Sequence, residues 1–174
     1  MLELEKTYLV NSLPQSMDKL KKKETLDIYF PQDVDHPTLR LRKNGDVFEM
    51  TKKDAVREGD ASAHVEHTIT LTKQEFDALS RVDGKRVRKW RYYWPYVDQI
   101  GEIDVFQDDL AGLVLVDFEF ETEEQKDLFV MPDFCLAEVT QEEFLAGGMI
   151  CGKSYNDISM RLQQFGYVKL LLAI

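Results

Sequence analysis

Most strand-like segments of this chain alternate polar and apolar residues with a period of two, and several carry charges of a single sign on the polar face. A period of two is that of a β-strand, whose successive side chains point to opposite faces. "LELEKTYLV" (2–10) sets Glu3, Glu5 and Thr7 against Leu2, Leu4, Lys6 and Tyr8. "GEIDVF" sets Glu102 and Asp104 against Ile103 and Val105, and "LVDFEF" sets Asp117 and Glu119 against Val116, Phe118 and Phe120. Arg40 and Arg42 in "TLRLRK", and Lys89 and Arg91 in "VRKWRYY", are purely basic pairs. "VFEMTKK" presents Glu49, Thr51 and Lys53, and "VEHTITL" presents Glu66, Thr68 and Thr70.

Alternation on any one strand is ordinary for an antiparallel sheet with one wet face. A solvated face, however, has little reason to sort signs by strand. A sheet closed with these faces inward has a basic wall and an acidic wall, and its apolar faces point outward under helices. Such a lumen suits a polyanion bound together with divalent cations, since Arg and Lys hold phosphate oxygens and carboxylates hold a hard metal.

Strand-like runs fall at 2–10, 25–30, 38–43, 46–53, 64–71, 86–94, 100–106, 113–121 and 135–140. Asn44-Gly45 fits a two-residue hairpin turn. Helical patterns are expected at 12–23 and at 72–82, where Thr72 and Glu75 have capping-box spacing. The device repeats at Thr122 in 122–130, and 154–165 places Ile158, Leu162 and Phe165 on one face. The stretch 54–63 reads as a mobile connection, and the tail 167–174 as a last strand or packing segment. Many antiparallel strands with few helices give an α+β fold on a large sheet or barrel.

At 174 residues the chain reads as one domain, 1–174, with a substantial core. A net charge of -10 argues against nonspecific binding to nucleic acid or to anionic membranes. The acidic, strand-like start does not read as a signal peptide, and the apolar tail is too short to span a bilayer. Cys135 and Cys151 form no metal-ligand spacing and read as two buried thiols in a reducing, cytoplasmic compartment rather than a bridge. His64 and His67, three apart on a strand, turn to opposite faces and read as surface residues. Trp90, Tyr92 and Trp94 alternate with the charged face and read as outer-face packing rather than a base-stacking platform.

"ELEKTYLV", "LRLRK", "MTKK", "VRKWRYY", "GEIDVFQDDLAGLVLVDFEF", "AEVT" and "SYNDI", in this order and spacing, resemble the CYTH superfamily of triphosphate tunnel metalloenzymes. The resemblance runs over nearly the whole chain and is strongest over 100–120. It implies an eight-stranded antiparallel β-barrel with a charged lumen and helices outside. It also implies metal-dependent hydrolysis of a triphosphate, with Mg2+ or Mn2+. Position by position it makes Glu3, Glu5 and Glu119 catalytic and metal-binding, with Asp117, Glu138 and Asp104 as further metal candidates. Arg40, Arg42, Lys53, Lys89 and Arg91 become the substrate-binding set. The implied partner is a small-molecule triphosphate or polyphosphate (inorganic, nucleoside or thiamine); the oligomeric state stays open, a homodimer included.

Three positions depart from the family pattern. Thr7 stands where the opening motif has its lysine, and Lys6, one residue earlier, points to the opposite face. Asp117 replaces a Glu, and Thr68 replaces the second Glu after Glu66. Two alternatives to hydrolysis follow: a class IV adenylate cyclase, which shares the metal site, and a non-catalytic polyphosphate- or nucleotide-binding module, favoured by Thr7.

Overall fold

The computed structural model describes residues 2–15, 17–56 and 61–171. Its strands are β1 (Leu2–Val10), β2 (Lys22–Phe30), β3 (Leu39–Asn44), β4 (Val47–Ala55), β5 (Ala63–Leu71), β6 (Lys85–Tyr96), β7 (Gln99–Phe106), β8 (Val114–Phe120) and β9 (Cys135–Glu138). All pairings are antiparallel, in the order β5-β4-β3-β2-β6-β7-β8-β1, and β1 pairs back onto β5 through Leu2–Leu4. Eight strands thus close into a barrel through a short β1–β5 contact, beyond which β5 is paired only with β4 among the described residues. β9 lies beside the second half of β1, pairing with Tyr8–Val10 on the edge that β5 has left.

The alternation decides which face is inside. Ile28, Leu41 and Phe76 form an outer cluster with Leu26, Phe48, Met50, Leu71 and Leu79, which packs α1 (Lys73–Leu79) against β2–β5. A second cluster covers the outside of β1, β6, β7 and β8 with Leu13, Met17, Leu20, Phe129 and Phe134. Trp90 and Trp94 belong to this covering; Trp94 stacks on Tyr96 at 4.9 Å and meets Phe134 edge-on at 4.6 Å. The aromatic stripe is outer-face packing, as its parity indicates.

The third cluster stops one end of the barrel. Val87, Phe106 and Leu115 from the strands pack with Val139, Phe144, Leu145 and Ile150. The segment after β9 enters as a short 3-10 turn (Glu143–Leu145) and α3 (Gly147–Ile150). Its two glycines permit a close fit. A Cβ on Gly147 would lie 2.2 Å from Tyr29 Oη, and one on Gly148 would lie 2.3 Å from the Pro37 carbonyl. α4 (Tyr155–Gln163) closes the cluster from outside with Ile158 and Leu162.

Several local expectations change. Among the described residues of 12–23 no α-helix forms; they contain a 3-10 turn at Met17–Lys19 and join β2 at Lys22. Pro14 favours an extended Leu13, and from Lys22 the chain follows the alternation of β2. Lys22 instead pairs with Tyr92, and its ammonium lies 4.9 Å from the Trp90 ring centre and 5.4 Å from that of Tyr92. The hairpin turn is Gly45-Asp46, because Asn44 pairs with Val47. Gly45 takes φ +60°, the left-handed conformation that the first position of such a turn requires.

The Thr72 capping box forms as expected. Thr122 caps α2 (Glu123–Leu128) by accepting from Gln125 N, but the Gln125 side chain returns to Glu121 N. Within the tail no strand forms among the described residues; Leu170 packs on the second cluster and its N–H donates to the Gly112 carbonyl. Of the stretch 54–63, residues 57–60 lie outside the described residues, and its flanks belong to β4 and β5. Cys135 and Cys151 are buried free thiols. No described helix is long and apolar enough to cross a membrane.

Candidate active site

The inner faces enclose a cavity of about 870 Å³, within the usual range of small-molecule sites. Its acidic wall is contiguous: Glu102 and Asp104 on β7, Asp117 and Glu119 on β8, Glu3 and Glu5 on β1. The basic side chains come from β4 (Lys53), β3 (Arg40, Arg42) and β6 (Lys89, Arg91). Asp27 and Tyr29 of β2 lie between β3 and β6.

Most of the cations are held by buried carboxylates. Asp27 receives Arg42 as a fork, Nε on Oδ1 at 2.7 Å and Nη2 on Oδ2 at 2.8 Å. Asp104, 1% exposed, accepts Arg91 Nε at 2.8 Å and Nη2 at 2.7 Å, together with Lys89 Nζ. Arg91 Nη1 also reaches Glu102. Burial alone would raise the Asp104 carboxyl, but Arg91 and Lys89 hold it down at about 2. Asp27 lies well below the usual carboxylate range because Arg42 outweighs its burial. Burial pushes Lys89 below the ordinary lysine value, against the opposing field of Asp104. Asp104 therefore has its oxygens engaged by three donors and acts as an orienter of the basic side chains.

Arg40 differs. It makes no ion pair among the described residues, and its buried Nε has no hydrogen-bond partner there. A donor buried without an acceptor is costly, and an anion in the tunnel would satisfy it.

The acidic wall is under-compensated. Glu5 is raised from its ordinary value to about 7 by burial, with Lys53 opposing and Asp117, Glu3 and Glu119 adding to the shift. Lys53 Nζ sits 2.5 Å from Glu3 Oε2, 3.6 Å from Glu66 Oε2 and 4.0 Å from Glu5 Oε1. Glu66 lies below its usual range: its partial burial is outweighed by the Thr68 hydroxyl, which donates at 2.6 Å, and by Lys53. Glu119 faces Glu5 directly across the β1–β8 pair and is exposed.

The family-derived positions therefore do not all meet. Glu3, Glu5, Glu119, Asp117 and Asp104 line the tunnel with the five cations. Glu138 does not; it is exposed and pairs with Lys6 at 3.6 Å. Thr7 faces the tunnel and donates to Asp117 Oδ1 at 2.8 Å.

His64 is not a surface residue. It lines the tunnel opposite Glu3, and one ring nitrogen, one Glu3 oxygen and one Glu5 oxygen lie within 4.8 Å of one another. His67 points the other way and is exposed. Asp27 and Tyr29 were legible in principle, since Thr25, Asp27 and Tyr29 alternate with Leu26, Ile28 and Phe30. The 139–150 segment that closes one end carries no periodic signal.

The tunnel is compatible with a divalent cation. Its strand-borne lining carries nine carboxylates and five cations among the described residues. An anionic ligand enters such a surplus of negative charge only with further positive charge beside it. Oxygen donors with one imidazole nitrogen are a suitable set for a divalent ion.

Comparison with protein-family models finds no match. An inorganic triphosphatase from Nitrosomonas europaea is 33% identical over 145 residues, spanning 82% of this chain and 92% of that protein. The crystal structure of an inorganic triphosphatase matches with a TM-score of 0.62 at 28% identity, covering 87% of this chain and 95% of the other. A candidate adenylate cyclase from Bacillus halodurans shares the fold, with a TM-score of 0.54 at 16% identity over 99% of this chain and 94% of its own. With a relative at this identity and coverage, and with the closed tunnel and its sorted walls, the chain belongs to the CYTH superfamily of triphosphate tunnel metalloenzymes.

Proposed function

We propose that this chain is a metal-dependent triphosphatase that hydrolyses a phosphoanhydride bond of a short polyphosphate, with inorganic tripolyphosphate as the first candidate substrate. The observation that carries the reading is Arg40. Its buried Nε lacks a partner among the described residues, beside Arg42, Lys89 and Arg91, which are already fixed by Asp27 and Asp104. Four oriented cations along one wall suit a chain of phosphate groups. The kinship with an inorganic triphosphatase supports the same substrate class.

In this reading Arg40, Arg42, Lys89 and Arg91 bind and orient the phosphates, and their attraction for the phosphoryl oxygens is stronger in the transition state, where negative charge spreads over the transferred group. Lys53, now on Glu3, is long enough to reach a terminal phosphate. Glu3 and Glu5 would hold a Mg2+ or Mn2+ ion. When bound, that ion supplies charge neutralisation on phosphate oxygens. Glu119, opposite Glu5, orients the attacking water. Asp104 and Asp27 hold the arginines in place and do not touch substrate. No Ser or Cys nucleophile is required.

A second reading, a binding module without turnover, is favoured by one observation: the tunnel position of Thr7 presents a neutral hydroxyl already committed to Asp117.

The experiment is phosphate release from tripolyphosphate, ATP and thiamine triphosphate, each with Mg2+ or Mn2+, together with assay of cyclic AMP from ATP. Release from tripolyphosphate that stops with EDTA is the expected result. Tight tripolyphosphate binding with no release from any substrate would favour the binding module, and cyclic AMP formation would favour the cyclase.

A further inference from the structure

We propose that His64 is a nitrogen ligand to the tunnel's divalent cation, and that it biases the site toward first-row transition cations such as Mn2+ or Co2+ over Mg2+. The inference rests on the metal-dependent reading above and adds to it a ligand and a metal class.

The geometry comes from strand register. Glu3 and Glu5 share the inner face of β1 two residues apart, and His64 of β5 stands directly opposite Glu3. The pairing of Leu2–Leu4 with β5, the contact that closes the barrel, is therefore what brings the imidazole to the two carboxylates. One atom from each of the three lies within 4.8 Å of the others. Ligands about 2.1 Å from one ion stand up to roughly 4.2 Å apart, so small side-chain adjustments bring all three into range.

His64 Nδ1 is 3.9 Å from Glu5 Oε1, beyond hydrogen-bond length. The Lys53 ammonium now sits on Glu3 and 3.6 Å from Glu66; a shift toward Glu66 clears Glu3 for the ion. The other two histidines are elsewhere: His36 meets Glu143 at 3.3 Å, and His67 is exposed on the outer face.

The chemistry sets the metal class. Mg2+ demands near-octahedral oxygen coordination and dehydrates reluctantly. An imidazole in the set costs Mg2+ an oxygen ligand and favours first-row transition cations over it, Co2+ more strongly than Mn2+.

The test uses the full-length protein and the cations alone. Calorimetry gives dissociation constants for Mn2+ and Mg2+ on wild type, His64→Gln and Glu5→Gln. Pulsed electron paramagnetic resonance of the Mn2+-loaded protein reads directly bound nitrogen. Wild type is expected to bind Mn2+ at least about tenfold more tightly than Mg2+, and His64→Gln to lose about tenfold or more for Mn2+. Mg2+ affinity should move little, and the nitrogen modulation should be present in wild type and absent in His64→Gln. Mn2+ bound by wild type without nitrogen modulation, or equally by His64→Gln, overturns the ligand role and leaves the metal-dependent reading standing. No cation bound by wild type overturns both. Should His64→Gln fail to fold, the wild-type resonance spectrum decides.

Discussion

Thr7 Oγ1 donates a 2.8 Å hydrogen bond to Asp117 Oδ1, directly across the β1–β8 pair. The family motif that the opening strand resembles has a lysine at this point. Here the hydroxyl satisfies Asp117 and contributes no charge to the tunnel. Lys6 does not substitute, because it is turned to Glu138 at 3.6 Å.

Thr7→Lys is therefore expected to raise kcat/KM for tripolyphosphate. A charge-assisted contact to phosphate contributes on the order of 1.5–3 kcal/mol, which corresponds to about tenfold or more in rate if it is stronger in the transition state. Steady-state kinetics with Mn2+ measures it. An unchanged kcat/KM would mean that Lys53 or an arginine already fills the role.

Lys53→Met separates the two functions of the acidic cluster. Removing the ammonium from among Glu3, Glu5 and Glu66 takes away a competing cation, so divalent-metal affinity should rise. The KM for tripolyphosphate should rise as well, because a phosphate contact is lost. Calorimetry and kinetics on one preparation compare the two. A fall in metal affinity would show that Lys53 organises the carboxylates instead of competing for them.

Asp27 is 2% exposed and forks onto Arg42. Asp27→Asn leaves a buried guanidinium without its counter-charge, an imbalance that costs about 3–5 kcal/mol. Urea unfolding of Asp27→Asn, Arg42→Met and the double variant tests the pair. The double variant should lose clearly less than the two single losses added together. Additive losses would mean the two residues act independently.

Acid stability should follow Asp104. Its folded value is depressed to about 2, below the ordinary value of about 3.9. The folded state thus binds fewer protons than the unfolded chain between these values, and stability rises with pH there. Its contribution is full above about pH 4 and is lost as the pH falls toward 2. Urea midpoints between pH 2 and 5 should drop toward acid in the wild type, and more shallowly in Asp104→Asn. Equal slopes would place the acid sensitivity elsewhere.

Strand parity made most of the tunnel legible. Once Phe48 and Met50 were placed outside, Lys53 had to face inward, and the structure puts it there. The closing of the acidic wall was legible only through the family resemblance, since sequence order separates β1 from β7 and β8 while the barrel makes them neighbours. His64 was misread for a related reason. Periodicity gives a side chain's face but not what faces it, and only the β1–β5 register brings the ring opposite Glu3. Asp27 carried the same alternation as the other strands; its value lies in its partner, Arg42, which only the β2–β3 pairing reveals. Glu138 matched a family motif, yet β9 pairs with the second half of β1 and sets it opposite the outward-facing Tyr8, beside Lys6.

The most direct test of the account is 31P nuclear magnetic resonance of tripolyphosphate incubated with the protein and Mn2+ and freed of the paramagnetic ion on a chelating resin before acquisition, with wild type and Arg40→Ala compared and an EDTA control. Conversion to pyrophosphate and phosphate by wild type, abolished by EDTA and slowed at least about tenfold in Arg40→Ala, is the predicted result. Tripolyphosphate left intact by wild type at saturating Mn2+, or cleaved equally well by Arg40→Ala, would contradict it.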